Sequence, residues 1–90
     1  MRIVYDPVKR ARVLEERGID FRGAGQVFAG RHATVRDDRA DYGEERWISV
    51  GHLDDRIVVV VWTARGSARR IISMRYCHAK EAKAWARHLD

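Results

Sequence analysis

The chain has one cysteine, one proline, two methionines and no long apolar run. A lone Cys77 excludes an intramolecular disulfide and any cysteine-rich zinc site within one chain. With Pro7 as the only proline, and with no Ser-rich or low-complexity tract and no internal repeat, nothing marks an interdomain linker. The longest apolar run, Ile57 to Trp62, is far short of the ~20 residues that a membrane helix needs. The opening Met1–Asp6 has no signal-peptide apolar region. These absences lead us to expect a soluble cytoplasmic protein with no membrane contact. At 90 residues the chain is also too short for a barrel enzyme or a two-domain dehydrogenase. Its 46% hydrophobic content suffices for one modest core, so we expect a single domain over residues 1–90.

What is present in excess is positive charge. The net charge is +5, and it is unevenly placed. Residues 1–45 carry nine Lys/Arg and nine Asp/Glu, whereas residues 46–90 carry nine and four. A basic half presents a field that attracts polyanions, nucleic acid first. Fifteen of the eighteen cations are Arg, the residue that grips phosphate with two parallel hydrogen bonds.

The apolar period divides the chain. A short strand at Ile3–Tyr5 precedes a helix that Asp6 caps and Pro7 opens, with Val8, Ala11 and Leu14 at helical spacing and Gly18 as its stop. Asp20 can cap a second, shorter helix burying Phe21, Ala24, Val27 and Phe28, which Gly30 ends. From residue 33 the period becomes two. Ala33–Arg36, Arg46–Leu53 and Arg69–Tyr76 read as strands, and the β-branched run Ile57–Trp62 reads as a central strand covered on both faces. Residues 37–45 form an acidic loop. Ala79, Ala82, Trp85 and Leu89 space a final helix. The expected class is therefore α+β: N-terminal helices, an antiparallel β-meander, and a C-terminal helix.

Arg46, Arg65, Arg70 and Arg75 gather around the meander as a phosphate clamp or, equally, as a solvated rim that protects sheet edges. On a regular strand Arg70 and Arg75 point to opposite faces, so both reach one groove only if a bulge re-aims one of them. Glu45 and His78 are the candidates for moving a proton; Glu45 can instead orient Arg46 or belong to a solvated loop, and His78 can instead cap the last helix. Tyr42, Trp47 and Tyr76 can stack on bases or join the core. Lys80, Lys83 and Arg87 stripe the last helix, either as an RNA-facing surface, with Lys80 an RNA-binding candidate beside Lys9, Arg65 and Tyr76, or simply as its wet face. His32, His52, His78 and His88 make no metal-ligand spacing, and nothing suggests a cofactor.

Several of these segments together resemble a known family. Tyr5-Asp6-Pro7-Val8-Lys9, then Gly18-Ile19-Asp20-Phe21, then Glu44-Glu45-Arg46-Trp47-Ile48 with Gly51 are similar to successive blocks of the BrnT toxins. So are Val58 to Thr63, the run Arg70-Ile71-Ile72-Ser73-Met74-Arg75, and Glu81. The chain departs from that pattern at Val13, at Glu16-Arg17 and at Cys77-His78. The resemblance implies a RelE-like α+β ribonuclease toxin of a type II toxin–antitoxin pair. It implies a BrnA antitoxin as partner, with operator DNA bound through that antitoxin. It places signature arginines on Arg46, Arg70 and Arg75 and a helix-opening lysine on Lys9. The reaction it implies needs no metal: a ribose 2′-OH attacks the adjacent phosphate of RNA. A non-catalytic basic module that binds nucleic acid or an acidic partner fits the arginines as well.

Overall fold

A computed structural model describes residues 2–89. The elements run β1 (Arg2–Tyr5), α1 (Pro7–Arg17), a 3-10 turn (Phe21–Gly23), α2 (Ala24–Ala29), β2 (His32–Arg36), β3 (Trp47–Leu53), β4 (Arg56–Arg65), β5 (Ala68–Tyr76) and α3 (Ala79–Leu89). The class is α+β, with a five-stranded sheet ordered β1-β5-β4-β3-β2. Strands β2 to β5 make the expected antiparallel meander, but β1 joins the edge of β5 in parallel, so the sheet is mixed. No helix among the described residues is long and apolar enough to cross a membrane.

The local chemistry explains the helix ends. Asp6 accepts from the Val8 N–H at 2.9 Å, Pro7 needs no donor partner at the first turn, and Gly18 closes α1 at φ 68°. Asp20 accepts from the Arg22 N–H in the same way. It also takes two hydrogen bonds of 2.8 Å from Arg10, tying α1 to the following turn.

The sheet has two unlike faces. On one, Val58, Val60, Trp62, Ile71 and Met74 pack against Val13, Phe21, Ala24 and Val27 of the N-terminal helices and turn. Gly51 allows α2 this close approach: a Cβ there would lie 2.9 Å from Val27 Cγ1. On the other face Val50 and Val59 meet Leu89 of α3, with Trp85 and Ile57 packed beside them. The alternating valines of β4 thus serve both cores, as its unbroken apolar run predicts.

One expectation reverses. The helical spacing of Val8, Ala11 and Leu14 suggests the buried face of α1, yet Val8 is 75% exposed and Leu14 39% exposed. The helix turns Val13 inward instead. The Arg10–Asp20 pair and the hydrogen bond from Arg17 Nη1 to the Met74 carbonyl, 2.9 Å, fix that rotation.

Candidate functional site

The site follows from one irregularity in β5. Val61 pairs with Ser73 and Trp62 with Ile71, so Ile72 has no partner on β4 and forms a bulge. Arg70 and Arg75 lie opposite Thr63 and Val59, four residues apart on an otherwise regular β4. An even separation there puts both arginines on the same sheet face. Ile71 and Met74, also an odd number apart, accordingly share the opposite core.

The face that carries the arginines is only partly covered by α3. The rest is an open cleft of about 530 Å³. Its apolar floor includes Val35, Ile48, Val61 and Ile72, and Trp85 stands at its side. Its polar groups are Arg17, Arg39, Arg46, Ser73, Arg75 and Glu81. Four guanidinium groups and one carboxylate line the cleft, and Asp37 and Glu44 from outside the lining pair with two of those arginines.

Each cation is held by a particular contact. Arg75 donates from Nη1 and Nη2 to the two oxygens of Glu81, at 2.7 and 2.8 Å. This ion pair holds the Glu81 carboxyl down at about 2. Glu44 bridges Arg46 Nε at 3.3 Å and Arg65 Nη2 at 3.1 Å, and the Arg46 guanidinium stacks 4.0 Å over the Tyr42 ring. Asp37, buried, receives Arg39 Nε at 2.7 Å and Nη2 at 2.8 Å, which pulls its carboxyl to about 2. That pair anchors the acidic loop beside the cleft. Arg17 rounds the free edge of β5 through its bond to the Met74 carbonyl and so lines the cleft from α1. Lys9, in the first turn of α1, has its pKa lowered by burial, then by Arg12, Arg46 and Arg17.

The structure sorts the sequence candidates. Arg46 and Arg75 line the cleft; Arg70 and Arg65 extend the same sheet face beyond it, and Lys9 feels the charge of Arg46. Glu45 does not orient Arg46: its carboxylate points to Arg36, 3.7 Å away, and neighbouring Glu44 takes that place. The exposed His78 immediately precedes α3, and its side chain is outside the cleft lining. Tyr76 packs with the opposite core and sits under Arg56, 3.5 Å from the ring centre. Lys80 is exposed on α3, outside the cleft. Trp47 packs beside the core, with its ring centroid 6.2 Å from that of Trp62. Burial raises the Cys77 thiol to about 11, so it stays protonated. Among the described residues no group of three or more His, Cys, Asp or Glu is placed to hold a metal ion.

Arg17 and Arg39 in the cleft lining, and Glu44 as the partner of Arg46, are residues that spacing leaves hidden. Arg17 sits at the end of a helix whose partner strand is distant in sequence. Asp37-x-Arg39 looks like any polar loop until the burial of Asp37 is seen.

The concave sheet face thus combines an apolar floor with a rim of arginines. A family model described as the ribonuclease toxin, BrnT, of type II toxin-antitoxin systems matches residues 5–81, and the chain belongs to that family. No curated protein matches it. A type II toxin has an antitoxin as its partner.

Proposed function

We infer that this chain is an endoribonuclease toxin that cuts RNA in the cleft between β5 and the acidic loop, without a metal, and so halts translation and growth. The observation that carries this reading is the bulge at Ile72, which brings Arg70 and Arg75 to the face where Arg46 stands. In this reading the fold is RelE-like, and all of residues 1–90 serve one catalytic unit in the cytoplasm.

The chemistry follows from the cations. A ribose 2′-OH attacks the adjacent phosphorus, the P–O5′ bond breaks, and the products are a 2′,3′-cyclic phosphate and a 5′-OH. Arg46 and Arg75 grip the phosphate and offset the added charge of the pentacoordinate state, the electrostatic part of catalysis that fixed donors perform best. The 2′-OH proton must leave and the 5′ oxygen must gain one. Glu45 and His78 stand outside the cleft, and Glu44 and Glu81 are engaged by arginines and held well ionised. Lys9 is also outside the cleft lining, but burial and then Arg12, Arg46 and Arg17 favour its neutral amine, and on that ground we assign it the proton transfer. The antitoxin, BrnA-like in this reading, lays acidic side chains over the cleft and carries the complex to operator DNA.

Incubating the purified chain with RNA in EDTA tests the reading. Cleavage that leaves 2′,3′-cyclic phosphate ends is the expected result. RNA binding with no cleavage would instead make the chain a binding module.

A further inference from the structure

We propose that a second site, on the sheet face opposite to the cleft, anchors the antitoxin: Arg69 takes a carboxylate of an acidic antitoxin segment, and an apolar side chain next to that carboxylate fills a recess between β1 and α2. The proposal rests on the chain having an antitoxin as its partner, and it does not depend on cleavage of RNA.

The strand register sets the place. Arg69 pairs with Ala64 of β4 and Ile3 of β1, whereas Arg70 and Thr63 pair one residue along. Successive strand residues face opposite ways, so Arg69 turns away from the cleft, toward the face that α2 covers. There its guanidinium lies over two rings, 4.2 Å from the centre of Phe28 and 4.4 Å from that of Trp62. The rings stand at 78° to each other, so they hold the guanidinium in a corner.

The rings engage the faces of this cation and leave its edge without a partner. A guanidinium carries five N–H donors. Nη1 of Arg69 is buried with no hydrogen-bond partner. Burial alone lowers the pKa of the group, with no carboxylate near enough to raise it. With Nη1 shut in, the Nε–Nη2 edge remains for a ligand. Arg10 and Arg39 show what that edge takes: each gives Nε and Nη2 to the two oxygens of one aspartate, at 2.7 or 2.8 Å.

A recess lies beside it. Ile3, Gly25, Phe28 and Ala29 line a space of about 180 Å³. Phe28 serves both parts, since its ring carries Arg69 and walls the recess. No side chain of the lining can donate or accept a hydrogen bond, so nothing in it reads the edge of a base. The space is smaller than the ~300 Å³ at which small-molecule sites begin, and it suits one aliphatic side chain. A fixed cation beside an apolar recess matches a peptide that carries a carboxylate next to an apolar residue. The net charge of +5 favours an acidic partner as a whole. Because the two rings fix the guanidinium in advance, little ordering is left to oppose docking.

Titrating the full chain with the antitoxin encoded in the same operon tests this, beside an uncleavable 2′-O-methyl RNA oligonucleotide. Arg69→Gln should weaken the antitoxin complex about tenfold or more, the scale of a desolvated charge pair that loses one partner. Ala29→Glu should weaken it to a similar extent by setting a carboxylate at the recess. Ala29 is exposed at the end of α2, so this second variant keeps the fold. Both free variants should melt within a few degrees of wild type and bind the RNA as tightly as wild type does. Antitoxin binding within twofold of wild type in either variant overturns the proposal. So does a loss of RNA affinity that matches the loss of antitoxin affinity, which would make the site one for RNA. The readout is binding, so failure here is distinct from a failure of the chain to cut RNA, which counts against the ribonuclease reading instead.

Discussion

Arg75 and Glu81 meet through two parallel hydrogen bonds of 2.7 and 2.8 Å, the geometry in which a guanidinium also receives a phosphate. Glu81 therefore holds the Arg75 side chain beside the cleft floor. Because Glu81 lies in the first turn of α3, the pair also ties that helix to β5.

The pair makes stability depend on acid in a defined window. The Glu81 carboxyl titrates at about 2 in the fold against an ordinary 4.5, chiefly because Arg75 donates to it. A lowered folded value means that the contribution is complete above about 4.5 and is lost as the pH falls toward 2. Glu81→Gln should thus melt below the wild-type chain near neutrality, with the gap closing across that acidic range. Melting curves at a series of pH values check this. A gap that stays constant down to the acid end would show that the ion pair is not its source.

Lys9 should divide binding from chemistry. Lys9→Arg keeps a cation at that position but removes an amine whose burial and neighbouring arginines favour loss of its proton. RNA affinity should hold, while the cleavage rate drops by about 10²-fold or more, the usual weight of a positioned acid or base. In the wild-type chain the rate should rise with pH up to a limit below the ordinary lysine value, because burial and the three nearby arginines favour the neutral amine. Single-turnover cleavage across a pH series measures both.

Glu45 and His78 should be dispensable for the reaction. Glu45 pairs with Arg36, and the His78 side chain lies outside the cleft lining. Glu45→Gln and His78→Ala should each cleave within about twofold of wild type, the scale of exposed substitutions away from a site. A hundredfold loss in either variant would return proton transfer to that residue.

Salt should weaken RNA binding in proportion to the phosphates engaged. Three to five contacts among Arg17, Arg46, Arg65, Arg70 and Arg75 give a log–log slope of roughly −2 to −3.5 for a single strand. Titrations over a range of ionic strength check the number, and a flat response would remove the electrostatic basis of the cleft.

Much of this architecture is legible in the sequence because each element carries its own signal. Asp6-Pro7 and Gly18 bound α1, the valine run marks the strand buried on both sides, and Trp85 and Leu89 mark the packed face of α3. The arrangement of the site is less legible, because it depends on partners distant in the chain. No residue in Arg70–Arg75 announces that Ile72 will be passed over by β4, yet that single slip decides which arginines share a face. The outward turn of Val8 and Leu14 is hidden for a similar reason. Tertiary bonds made by Arg10 and Arg17 set the rotation of α1 against its apolar spacing. Nor does spacing reveal that Glu44 rather than Glu45 faces Arg46.

The central claim is that Arg75 acts on the RNA rather than on the fold, and comparing wild-type and Arg75→Ala chains tests it most directly. The side chain is 41% exposed and its partner Glu81 keeps other contacts, so the substitution should cost about 1 kcal/mol or less in stability. Cleavage of RNA in EDTA, measured beside the melting temperature of the same preparations, should fall by about 10²-fold or more while the fold melts within a few degrees of wild type. An Arg75→Ala chain that melts normally and cuts RNA at the wild-type rate would contradict the account.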